Sequence, residues 1–273
     1  MTGQQPPRIH NKIYPFLHPL KFRNSLKGKV VLITGALGTI AGAVAESFAT
    51  ASASLFLSDI GSSLAESTKE HLLHLGADAV HYSRCDIGNP KDCEELVKQR
   101  DAEGACNIAS KAANISFPFN ISYCTSKAAL IKVTGAIQAE VDEVAPLSDI
   151  HLYAIHPGAV RSAMSTADNQ RDVTLEEFPE VTSRFSEWKE KFTGLPHLVG
   201  MSCVALATGI AKDALRGRYY DVEQDLEDII AQAPLLKADP LFHTLHISML
   251  GSMEREEGAI AREAEKSFDF PGF

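Results

Sequence analysis

No stretch of the 273-residue chain stays apolar for the ~20 positions that a membrane-crossing helix needs, and the opening MTGQQPPRIHNKIYPFLHPLKF lacks the apolar core of a secretory signal. A cytoplasmic protein without a membrane partner is expected. A basic excess is also lacking: 26 Lys and Arg stand against 35 Asp and Glu, and a net charge of −9 offers no general attraction to phosphate backbones. No nucleic-acid partner is expected. The five cysteines, Cys85, Cys93, Cys106, Cys124 and Cys203, are odd in number and form no CxxC pair, so neither a disulfide framework nor a zinc knuckle is spelled out. In the reducing compartment this fits, the sequons at Asn114 and Asn120 carry no glycan. Repeats and low-complexity tracts are absent too. What is present, 45% hydrophobic and 22% charged residues with 18 Gly and 13 Pro, describes a globular chain and excludes disordered and collagen-like classes.

Residues 1–27 carry Pro6, Pro7, Pro15 and Pro19 among scattered aromatics with no period, which predicts an extended N-terminal arm. From residue 28 a regular pattern begins and runs to 273 as one domain. Val30-Val31-Leu32-Ile33 is continuously apolar, as a central parallel strand covered on both faces should be, and it ends at Thr34-Gly35. Ala41–Ala53 reads as a helix and Leu55-Phe56-Leu57 as a second strand ending at Asp59, which completes one βαβ unit. The pattern continues with a helix over Ser62–Leu75, a strand over Val80–Cys85, a helix from Pro90 to about Ala102, and a short strand Ala105–Ala109. A long helix over Tyr123–Val144, a strand Ile150–Ile155, a helix Leu198–Ala211 and a strand Arg218–Val222 follow. The polar stretch 161–197 is too long for a plain loop and reads as a substrate lid or as a segment with short helices, and 223–273 reads as helical. Alternating strands and helices predict an α/β fold, a doubly wound parallel sheet of Rossmann-like type.

Two constellations carry chemistry. Thr34-Gly35-Ala36-Leu37-Gly38-Thr39-Ile40-Ala41 lies between a buried strand and a helix, where glycines let a pyrophosphate approach backbone N–H groups at the positive helix end. Eighteen residues on, Asp59 ends the next strand, about where a carboxylate accepts ribose hydroxyls. The second constellation is Tyr123-Cys124-Thr125-Ser126-Lys127, whose Tyr and Lys share a helix face. A free phenol, with a pKa of ~10, exchanges protons near neutrality only when a nearby cation stabilises its anion, and Lys127 supplies one. Alone, the spacing equally fits a half-buried ring beside a solvated amine.

Together these segments resemble the short-chain dehydrogenase/reductase family. Asn107-Ile108-Ala109-Ser110 is similar to the end of its fifth strand, Tyr123–Ala129 to its YxxSKaA segment, Pro157-Gly158-Ala159-Val160-Arg161-Ser162 to PGxVxT, and Asp86-Ile87 to the pair that faces the adenine. Leu215–Val222 is most similar to fungal members. The resemblance implies hydride transfer between a nicotinamide cofactor and a carbonyl or alcohol carbon of a small molecule, and its fungal cast points to secondary metabolism. It makes Tyr123 the general acid or base, Lys127 its activator and ribose ligand, and Ser110 the holder of the substrate oxygen. It assigns cofactor contacts to Thr34, Gly35, Gly38, Thr39, Ile40, Asp59, Asp86, Ile87, Tyr123, Lys127, Pro157, Gly158, Val160 and Ser162. Asp59 favours NAD, with NADP open. A dimer or tetramer through the long tyrosine-bearing helix is implied as well.

The sequence also departs from the family. Thr39 and Ala41 stand where the commonest form has its later glycines, and the spacing matches TGxxGxxG better. No NNAG occurs, and only 24 positions lead from Asp86 to Ser110, enough for one helix and one strand but not for two crossovers. One βα unit is expected to be missing. Either the strand at 105–109 slides into the vacant place, moving Ser110 by ~4.8 Å, or the sheet keeps a gap. A catalytically silent Rossmann-like nucleotide-binding or partner protein is therefore the alternative to an active oxidoreductase. Other features weigh less. His71 and His74 have no third metal ligand at suitable spacing, so no metal is expected; Trp188 and Phe192 fit a lid over a lipophilic substrate or ordinary packing; Glu254–Glu265 reads as a solvated helix face.

Overall fold

The computed structural model describes residues 5–98, 104–116, 118–144, 149–162 and 177–247. In chain order the elements are β1 Val30–Thr34, α1 Thr39–Thr50, β2 Ser54–Asp59, α2 Glu66–Leu75, β3 Ala79–Arg84, α3 Pro90–Val97, β4 Gly104–Ile108 and α4 Ile121–Val144. After them come β5 His151–His156, α5 Pro179–Glu190, α6 Pro196–Ala207, α7 Lys212–Leu215, β6 Tyr219–Asp221, α8 Leu226–Ala231 and α9 Ala233–Ala238. Every strand pairing between these elements is parallel, as the βαβ rhythm predicts. The expected doubly wound α/β arrangement is therefore present, with one difference. The strands form two three-stranded sheets, β1-β2-β3 and β4-β5-β6, and no ladder joins β1 to β4 among the described residues. Of the two outcomes open to the sequence, β4 does not move beside β1. The gap stays.

What unites the halves is side-chain packing. Leu198 to Leu206 of α6 are buried without exception, which suits a helix apolar all round, and α6 packs most closely against α1. One continuous core takes Ile33, Leu55 and Leu57 from the first sheet and Tyr153, Ile155 and Tyr220 from the second. The approach of the two helices depends on Gly200, since a Cβ there would lie 2.2 Å from Ser47 Oγ and 2.7 Å from the Ala43 carbonyl oxygen.

The N-terminal segment departs from an extended course. Pro15 and Pro19 each open a short 3-10 helix, because their fixed φ suits a first helical position where no N–H is needed. Leu17, Phe22 and Leu26 are buried in the common core. The segment also clasps α8: Arg8 holds Asp228 through three hydrogen bonds, two from its guanidinium (2.8 and 2.9 Å) and one from its backbone N–H (2.9 Å), His10 Nε2 lies 2.8 Å from the buried Asp225, and Tyr14 Oη accepts from Leu226 N–H at 2.7 Å. Burial pushes the Tyr14 phenol up to about 12. Of the stretch 161–197, α5 occupies part of the described portion, residues 163–176 lie outside the described residues, and Gly194 N–H donates to Ala159 O at 2.9 Å. The C-terminal part is helical in α8 and α9, and Glu254–Glu265 lies outside the described residues.

Gly200→Ala is expected to destabilise the protein by about 1–3 kcal/mol, the usual cost of overpacking, because the added methyl must displace the α1 backbone. Urea unfolding followed by circular dichroism measures it.

Candidate active site

The turn after β1 has the shape a phosphate loop requires. Gly35 has a φ of +65°, where a side chain would be strained, and its carbonyl accepts from Gly38 N–H at 3.0 Å. Gly38 caps α1 without a side-chain hydrogen bond, so the amides of the first turn, Thr39 and Ile40 among them, are left to another acceptor. The Ile40 side chain itself packs on the core. Asp59, at the end of β2, accepts from Leu37 N–H at 2.9 Å and Gly61 N–H at 3.4 Å, which ties the carboxylate to the glycine loop. Beside it Leu37, Ile60 (61%) and Ile87 (73%) are exposed apolar side chains at the carboxyl ends of the first sheet. Of these the sequence singled out only Ile87; the signal for Ile60 was its place one residue past the strand-ending acid. The Asp86 carboxylate is engaged by its own turn, accepting from Gly88 N–H at 2.9 Å.

Across the ladder, Arg84 of β3 is paired in register with Asp59. The sequence shows no arginine beside Asp59 along the chain, but the sheet supplies one from 25 positions away, with its guanidinium 3.7 Å from Asp92. Register is a tertiary fact, and composition near Asp59 could not reveal it.

On the second sheet, Ser110 follows β4, and its Oγ accepts from Ala112 N–H at 3.1 Å as the cap of a 3-10 turn. Tyr123 and Lys127 lie one turn apart on α4, with Lys127 Nζ 5.7 Å from the centre of the Tyr123 ring. That ammonium donates to the Ile108 carbonyl oxygen at 2.7 Å, and burial lowers the Lys127 pKa below its ordinary value. Pro157 and Gly158 follow β5, Gly158 with a φ of +81°, while Val160 is buried and Ser162 lies just beyond. Trp188 and Phe192 meet edge to face at 4.7 Å on and just after α5.

A cluster the sequence did not announce lies next to Ser110. His156, Asp221 and Glu223 bring three potential ligand atoms within 4.8 Å of one another, but the cationic place is taken by Lys111, whose Nζ is 2.8 Å from Asp221 Oδ2 and also bonds Glu223. Burial works against this ammonium, and the hydrogen bonds to the two carboxylates outweigh it and raise its pKa. The buried His156 imidazole is pushed down to about 4, first by burial and also by Lys111. A cleft of about 410 Å³ opens beside it, lined by Ser110, Lys111, Asn114, Tyr219 and His243 among others, but not by Tyr123 or Lys127.

The family model for short chain dehydrogenases matches residues 29–105 and 102–173, together more than half of the chain. The chain belongs to the short-chain dehydrogenase family. A short chain dehydrogenase of Pseudocercospora fijiensis (strain CIRAD86) is 22% identical, over 81% of this chain and 88% of its own length. Two solved structures share the fold: a short-chain type dehydrogenase/reductase from Mycobacterium marinum (18% identity, 76% of this chain and 98% of that one, TM-score 0.58) and one from Burkholderia phymatum in complex with NAD (17%, 82% and 99%, TM-score 0.56). The alignment with the Pseudocercospora dehydrogenase runs over 282 positions, although 81% of 273 residues is about 221. About 60 aligned positions therefore have no counterpart in this short-chain dehydrogenase, and its family match passes from one piece to the next at 102–105, a range that includes the first two residues of β4.

The buried His156 yields a pH dependence. Its folded value, about 4, lies below the ordinary 6.5, so the unfolded chain binds the proton first. Its contribution is complete above pH 6.5 and is lost as the pH falls from 6.5 towards 4, by up to about 3 kcal/mol. Urea unfolding at pH 7 and pH 4.5 should show this loss in the natural chain, and a smaller one in His156→Gln.

Proposed function

We propose that this chain is a nicotinamide-dependent oxidoreductase that interconverts a carbonyl and an alcohol on a small molecule. The observation that carries the reading is the joint placement of Tyr123 and the half-buried Lys127 on one face of α4, with Ser110 at the end of the strand whose Ile108 carbonyl Lys127 binds. The adenosine end of such a cofactor fits the first sheet: uncapped amides at the start of α1 for the pyrophosphate, Asp59 for the ribose, and Ile60 and Ile87 as apolar walls for the base. The nicotinamide, when bound, supplies or accepts the hydride. Tyr123 exchanges the proton of the substrate oxygen. Ser110 holds that oxygen, since its Oγ accepts from Ala112 and leaves its own hydrogen to donate. Lys127 keeps positive charge beside the phenol, and Pro157, Gly158, Val160 and Ser162 form the wall on the nicotinamide side.

The fungal dehydrogenase among its relatives supports a fungal metabolite as substrate, and a cytoplasmic location suits a chain in which no described helix is long and apolar enough to cross a membrane. Exposed Val133 and Ile137 on α4 support a homo-oligomer through that helix. A second reading, a silent nucleotide-binding protein, is favoured by one observation: among the described residues the sheet carrying Asp59 and the sheet beside α4 share no ladder.

With NADH, Tyr123→Phe should lower turnover of ketone substrates by at least ~100-fold while leaving the thermal shift unchanged, the shift itself reflecting about 2.7 kcal/mol at 100 times the dissociation constant. A shift without turnover in the natural chain identifies the silent protein. Asp59 sets the cofactor choice by repelling a 2′-phosphate, so Asp59→Ser should raise the NADPH-to-NADH affinity ratio by about tenfold, and Arg84→Ala should reverse that gain. Titration of cofactor fluorescence reads both.

A further inference from the structure

Four of the five cysteines stand in two contacting pairs that no CxxC spacing announces, and all of them are free thiols. Cys106 of β4 packs on the main core, where its thiol meets that of the buried Cys203 of α6. Cys85 and Cys93 meet in a small separate cluster with Phe56 and Leu96. The second pair differs from the first in three respects. Only eight positions separate its members along the chain. Cys85, just past β3, is 3% exposed, but Cys93 is only partly buried and sits on the short helix α3. The turn between them carries Asp86 and the exposed Ile87, two residues placed at the adenine end of the candidate cofactor site. That turn is held by α3 through side chains: Asp86 N–H donates to Asp92 Oδ2 at 3.0 Å, and the Cys93 thiol donates to the Ile87 carbonyl oxygen at 3.5 Å. Thiols already in contact reach the ~2.05 Å of a disulfide by side-chain rotation and a small shift of a peripheral helix. For Cys106 and Cys203 the same shift would meet a paired strand and a helix buried from Leu198 to Leu206.

We propose that Cys85 and Cys93 are a disulfide site closed by a hydroperoxide, and that closure releases the Ile87 carbonyl and weakens binding at the adenine end. Cys93, the member with access to solvent, attacks the peroxide: its sulfur takes one oxygen, the O–O bond breaks, and water leaves with the thiol proton, giving a sulfenic acid. The Cys85 sulfur then attacks the Cys93 sulfur. The S–S bond forms, the S–O bond breaks, and the oxygen departs as water with the Cys85 proton. Two electrons pass from the two thiols to one peroxide. Burial first, and then the neighbouring Cys93, raise the Cys85 pKa, so this thiol stays protonated and unreactive until its partner is oxidised. In the disulfide Cys93 has no S–H left to donate, and the Ile87 carbonyl loses that hydrogen bond. The disulfide site stands on the contact of the two thiols; its effect on the cofactor rests on the oxidoreductase reading.

The test treats the full chain with hydrogen peroxide at neutral pH, follows its fold by circular dichroism, and maps unreduced tryptic peptides by mass spectrometry. The folded chain should lose two hydrogens, with Cys85 and Cys93 joined within residues 85–98 and the join reversed by dithiothreitol. Cys93→Ser, which keeps a donor for the Ile87 carbonyl, should form no bond and leave Cys85 unmodified. A sulfinic acid on Cys93 beside a free Cys85, a bond between two chains, a bond between Cys106 and Cys203 in place of this one, or closure only in urea overturns the proposal. Titration of cofactor fluorescence reads the second half: NADH affinity should fall at least ~5-fold on oxidation, recover with dithiothreitol, and stay constant in peroxide-treated Cys93→Ser. Equal affinity in the reduced and the disulfide-bonded chain overturns the link to the adenine end. A reduced chain that binds neither NADH nor NADPH sinks the oxidoreductase reading, and that link with it, and leaves the disulfide site standing.

Discussion

The contact between α1 and α6 holds the molecule together, because among the described residues no backbone ladder joins the two sheets. A continuous parallel sheet transmits position from strand to strand through hydrogen bonds with fixed spacing. Here that transmission stops at β1 and begins again at β4, and the relative placement of the glycine loop and the tyrosine rests on side chains: Gly200 against Ser47 and Ala43, and the buried run Leu198–Leu206 across both halves. Packing is less directional than a ladder. A site assembled across such a joint depends on small residues at one helix crossing, although each half of it is locally well formed.

The clasp of the N-terminal segment on α8 reinforces the same joint from another side. Leu17, Phe22 and Leu26 enter the core that α1 and α6 build, while Arg8, His10 and Tyr14 bind Asp228, Asp225 and the Leu226 amide. The proton on Asp228 is held off to about pH 2, chiefly by the hydrogen bond from Arg8. Exposed as Arg8 is, this pair contributes little by itself, and the buried leucine and aromatics contribute more.

Local features were legible from sequence and non-local ones were not. The strand at Val30–Ile33, the glycine turn, Asp59 and the long helix bearing Tyr123 and Lys127 follow from periodicity and from spacing within a few turns of chain, and the structure has them within one or two residues. Counting leaves room for one crossover between Asp86 and Ser110, and among the described residues β1 and β4 share no ladder. By contrast, Arg84 meets Asp59 through strand register, Lys111 meets Asp221 and Glu223 across 110 and 112 positions, and Leu17 reaches the core from a segment whose prolines suggest an arm. None of these has a periodic signature. Each depends on which elements come to lie side by side.

The Lys127 ammonium links the free edge of β4 to the candidate site. A lysine that activates a phenol must keep its charge near the ring, and at 5.7 Å from the ring centre Lys127 does so. Yet one of its three donors is spent on the Ile108 carbonyl, whose register turns it towards the open edge. An unpaired carbonyl at a half-buried edge is costly, and a nearby ammonium is the strongest donor available to it. Burial acts in the opposite sense and lowers the Lys127 pKa, so the carbonyl bond also helps the group to keep its proton. The same interaction that satisfies the strand edge therefore sets the direction in which Lys127 points, so the placement of the ammonium beside the Tyr123 ring depends on the sheet at β4.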